Sequence, residues 1–79
     1  MQAKSRFGIF SYQELTANAH RRITQLMEEA RLRDGYDSVR RREWAYGLYM
    51  GWRALVAERV DPEIFRHDDE VLESLLKIR

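Results

Sequence analysis

Residues 40–59 read RRREWAYGLYMGWRALVAER, and the fold follows from how this stretch is used. Ala45, Leu48, Tyr49, Trp52 and Val56 recur at spacings of three and four, which makes one helical stripe. Trp44, Gly47, Gly51 and Ala54 make a second. Together the apolar and small residues cover well over half of the helix circumference. A helix of that kind is flanked on more than one side, so the stretch predicts a central helix running from about 38 to 59. Asp37 or Ser38 is the expected cap.

Working towards the N-terminus, Ser11-Tyr12-Gln13-Glu14 has the form of a capping box, with Phe10 and Leu15 at the positions of a hydrophobic staple. Leu15, Ala19, Ile23, Leu26, Met27 and Ala30 form the apolar stripe of a first helix over about 11–34, and Gly35 is the left-handed residue expected past its end. Residues 1–10 read as an extended arm whose Phe7, Ile9 and Phe10 call for a docking place on the core or on a second subunit. Towards the C-terminus, Asp61-Pro62 marks a helix start. Ile64, Phe65, Val71, Leu72, Leu75 and Leu76 share a face if one helix runs from 62 to 78. The polar turn Arg66-His67-Asp68-Asp69 offers a place to break it, with one helix preferred. The expected fold is all-α: a helical hairpin plus a C-terminal helix over 11–79, preceded by the arm and dimeric. With 79 residues there is room for one domain, and a domain this small has a thin stability margin that oligomers or partners often supplement.

Composition narrows the function. The chain is 44% hydrophobic and 34% charged, which suits a folded domain better than a disordered tail. There is no cysteine, so no disulfide or thiolate metal site is available, in keeping with a cytoplasmic setting. No run approaches the roughly 18 apolar residues that span a bilayer, and no membrane role is expected. His20 and His67 share no ligand spacing, so no metal and no cofactor is expected. No nucleophile triad, phosphate loop or carboxylate pair suggests a catalytic residue, and the chain reads as a binding protein, not an enzyme.

Two features of the central helix ask for a neighbour. Glycine inside a helix costs about 1 kcal/mol relative to alanine, so Gly47 and Gly51 together cost roughly 2 kcal/mol. Close approach of another backbone or an aromatic ring would offset that. Either the first helix, the last helix or the arm fills the strip within one chain, or a second molecule does. Phe7, Phe10, Gly47, Gly51 and Trp52 are therefore the candidate dimer or close-packing residues. At the start of the same helix stand Arg40, Arg41 and Arg42, at the end where the helix dipole is already positive. Arg31 and Arg33 arrive at that tip from the first helix, and Tyr36 and Trp44 lie beside it. Tyr, Trp and Arg are the residues most enriched in binding hot spots. These seven residues are the candidate partner site, with an acidic protein surface the expected partner. The second reading is a nucleic-acid regulator using the same arginines on phosphates, although a formal net charge of +1 makes that depend on local clustering alone. In size and helical content the chain is similar to small regulatory adaptors of bacteria and their phages, a likeness of kind that transfers no residue.

Overall fold

The computed structural model describes residues 11–77. They form three helices and, among the described residues, no strand: α1 (Tyr12–Arg31), α2 (Gly35–Val56) and α3 (Pro62–Leu75). α1 opens on the expected capping box. The Ser11 hydroxyl accepts from the Glu14 backbone N–H at 3.1 Å, and the Glu14 carboxylate accepts from the Ser11 N–H at 3.0 Å. α3 opens on Asp61, whose side chain accepts from the Glu63 N–H at 2.8 Å, with Pro62 in the first turn. The staple with Phe10, and the arm carrying Phe7, lie outside the described residues.

The turn between α1 and α2 departs from expectation. Gly35 does adopt a left-handed conformation, with φ of 59°. It is also the first residue of α2, so the link is only three residues and α2 starts earlier than position 38. Ser38 is not a cap. It is buried in the second turn of α2, and its hydroxyl donates to the Ala30 carbonyl at 2.9 Å. A side-chain hydrogen bond back to the end of α1 thus ties the hairpin together, and the N-cap position falls to Asp34, whose side chain makes no capping bond.

α3 runs through the polar turn as one helix. Asp68 and Asp69 have partners elsewhere, which removes the reason for a break: Asp68 accepts from the Tyr12 hydroxyl, and Asp69 accepts from the Tyr49 hydroxyl at 2.7 Å. The core is small. Ile23 and Met27 of α1 meet Ala45, Tyr49, Trp52 and Val56 of α2 and Leu72 of α3. Trp52 is its hub, with Phe65 stacked at 5.5 Å between ring centroids and Tyr12 and Tyr49 at 6.4 and 6.5 Å. Its indole N–H donates to Thr16 Oγ1 at 2.9 Å, so the buried ring leaves no orphan donor.

α2 is central in sequence but covered on one side only. Its buried residues, Ser38, Ala45, Tyr49, Trp52 and Val56, follow a single line against α1 and α3. Leu48, expected on that line, is more than a third exposed. A helix apolar nearly all round does not reveal by periodicity which side is inward. No helix among the described residues is long and apolar enough to cross a membrane.

Candidate functional site

The side of α2 away from the core is an open groove of about 690 Å³. Leu15, Ala19 and Leu26 of α1 form one wall; Trp44, Leu48 and Leu55 of α2 form the other, and Gly47 and Gly51 leave it bare. The neighbour that the glycines demand is not supplied by α1 or α3: a Cβ added at either glycine meets nothing within 4 Å. Trp44 is 48% exposed and Leu55 40%. Trp52 reaches the groove from beneath, but its place is in the core, 5% exposed.

The charge pattern of α2 has the same one-sidedness. From Trp44 to Ala57 the only charged residue is Arg53. Its side chain turns to α3, with Nε 3.0 Å from Asp69 Oδ1 and its N–H directed off that line, and its guanidinium lies over Tyr49 and Phe65. The outward face is therefore free of charge for about 21 Å, at 1.5 Å per residue. Met50 and Tyr46 extend the exposed apolar surface around the helix.

The arginine tip does not converge on one point. Arg31 pairs with Glu28 at 2.6 Å. Arg41 donates to Glu29 at 3.1 Å and faces Asp37 at 3.8 Å. The exposed Arg31–Glu28 pair is worth a few tenths of a kcal/mol and the half-buried Arg41–Glu29 pair is better shielded, and together they answer two of the five guanidinium groups. Arg33 and Arg42 are exposed and have no ion-pair partner among the described residues. Arg40 is placed differently. Its guanidinium lies over the Trp44 ring at 4.9 Å and over the Tyr36 ring at 5.5 Å. Tyr36, Arg40 and Trp44 are four residues apart, so they stack along one line of the helix. A step of three residues from Trp44 leads to Gly47 and a further four to Gly51, so the glycines lie on the same side of the helix. Arg40 with its two rings and the glycine strip, separate features in the sequence, therefore share one face.

Away from this face the polar groups serve the fold. Burial, and then the hydrogen bond to Asp69, push the Tyr49 hydroxyl up to about 12 from the usual 10. Burial, and then the bond to Asp68, do the same for Tyr12. Among the described residues no three His, Asp or Glu side chains gather as a metal set. His20 borders a shallow depression beside Tyr12 and Asp68, far from His67 in the chain. Leu48, Ala54, Leu55 and Glu58 belong to the outward face and are not in the sequence-derived site; for the first three the signal is that Arg53 is the only charge over 44–57, and for Glu58 there is none. The chain matches no family model, no curated protein and no solved structure.

Proposed function

We propose that the protein is a small helical interaction module that acts by binding a protein partner through the outward face of α2. One observation carries this reading: a groove with a glycine floor and Trp44, Leu48 and Leu55 on its wall that no other element among the described residues covers. Large exposed apolar surfaces of this kind mark interaction sites, and a groove between two helices has the shape that receives a third. The Tyr36–Arg40–Trp44 stack at one end favours a partner with a carboxylate next to its apolar stretch. Phosphate binding by the same tip draws less support, because Glu28, Glu29 and Asp37 already face Arg31 and Arg41.

Photo-crosslinking in cells of the native host tests the reading. A benzophenone side chain at Leu48 is expected to yield a discrete protein adduct, while the same group at the exposed Arg21 of α1 yields none. No adduct at Leu48, or the same products from both positions, would remove the groove as a docking surface.

A further inference from the structure

We propose that the occupant of this face is the α2 helix of a second copy of the chain, packed antiparallel across a two-fold axis level with Tyr49. The inference rests on the reading of the face as a docking surface and names what docks there.

Arg40, Trp44, Gly47, Gly51, Ala54 and Glu58 follow one another at spacings of four, three, four, three and four. Alternating spacings of three and four are those of a seam between two helices packed along their length. All six residues are exposed or are glycines with open space above them. Glu58 lies two residues past the end of α2, in a turn that carries its path on: the Ala57 N–H donates to Arg53, and the Arg59 N–H to Val56, three residues back. The spacing is the same read from either end, with its midpoint at Tyr49. A two-fold axis there maps the seam onto itself, as an isologous contact requires.

The chemistry of the pairs then chooses the direction. Antiparallel packing sets Gly47 against the second copy's Gly51, which lets the backbones approach closely at the centre. It sets Trp44, the largest seam residue, against Ala54. It sets Arg40 against Glu58, once at each end. Neither Arg40 nor Glu58 has an ion-pair partner within the chain among the described residues, and the rings of Tyr36 and Trp44 hold the Arg40 guanidinium in place. Parallel packing in register would instead oppose Trp44 to Trp44 and Arg40 to Arg40. The antiparallel arrangement also lays Trp44 of each copy towards the Gly51–Leu55 part of the other's groove. It sets α2 of each copy beside α1 of the other, the layout of a four-helix bundle.

Sedimentation equilibrium of the full chain from micromolar to millimolar concentration tests this. The wild type is expected to follow a monomer–dimer equilibrium. Arg40→Glu and Glu58→Arg, each alone, are expected to raise the dissociation constant at least about tenfold, since like charges then meet at both ends. An equimolar mixture of the two variants is expected to dimerise as the wild type does, because both ends of the mixed dimer regain opposite charges. Both positions are exposed, and an unchanged helical circular-dichroism spectrum confirms that each variant is folded. A wild type that stays monomeric, single variants that dimerise normally, or a mixture that does not recover would each overturn the proposal. A monomeric wild type with a Leu48 adduct to a different protein overturns only the second copy. A monomer with no adduct at Leu48 overturns the docking surface as well.

Discussion

Replacing Gly47 and Gly51 together by alanine is expected to move two measurements in opposite directions. Both glycines sit in mid-helix, neither has the positive φ that requires glycine, and a Cβ at either meets nothing within 4 Å. The isolated chain should therefore gain the full helix-propensity difference, about 1 kcal/mol at each site and roughly 2 kcal/mol in all. For a domain of this size that is an increase of roughly 8–16 °C in Tm. In the dimer the same four methyl groups fall where the backbones come closest. Overpacking of that kind costs about 1–3 kcal/mol, or a rise of roughly 5- to 150-fold in the dissociation constant. Because association itself raises apparent stability by mass action, the two effects are separated by concentration. Thermal melts followed by circular dichroism at high dilution read the single chain; sedimentation equilibrium at high concentration reads the dimer. The variant should melt higher than the wild type when dilute, and its Tm should depend less on concentration. A lower Tm at high dilution would mean that something within the chain packs on the glycines. A higher Tm with undiminished association would mean that the seam does not pass over them.

The Tyr12 and Tyr49 hydroxyls ionise near pH 12 in the folded state against about 10 unfolded, so the folded protein holds these protons more tightly. That stability is fully present below pH 10 and is lost as pH rises towards 12. It amounts to roughly 2–3 kcal/mol for the buried Tyr49. Denaturation midpoints measured across that range should fall with pH, and should fall less in a Tyr12→Phe, Tyr49→Phe variant; a midpoint independent of pH over this window would contradict the buried hydrogen bonds. Ser38→Ala should destabilise the chain by only about 1 kcal/mol, since the Ala30 carbonyl keeps the Arg33 N–H at 3.3 Å. Urea titration of the dilute protein measures this, and a loss several times larger would show that the hairpin depends on that hydroxyl.

What could be read from the residues was local. Ser11 with Glu14, and Asp61 with Pro62, announce helix starts because the groups that satisfy them lie within three residues. The stripe from Leu15 to Ala30 marks α1 because its other face is polar. α2 resists the same treatment. With Trp44, Leu48, Leu55 and Met50 distributed around it, periodicity finds a helix but not its inward side; that side is decided by where Ile23, Met27 and Leu72 lie in space. Asp68 and Asp69 read as a solvated run because their partners, Tyr12 and Tyr49, are 56 and 20 residues away in the chain. The arginine tip was visible as a cluster, but which arginines are answered depends on Glu28, Glu29 and Asp37 being within reach across the hairpin.

The Tyr12 and Tyr49 hydroxyls, donating to Asp68 and Asp69, tie α3 to both of the other helices. α3 buries only Leu72 fully, with Phe65 and Leu75 packed against the edge of the core, so its polar contacts carry a large share of its docking. Adjacent residues on a helix point about 100° apart, and these two carboxylates reach different helices, one to α1 and one to α2. A slide of one turn, about 5.4 Å, withdraws both from their tyrosines at once. The two carboxylates thus fix the register of α3 together with the Phe65–Trp52 stack, and amide exchange along α3 is expected to report one shared opening rate, not a gradient fraying from its end.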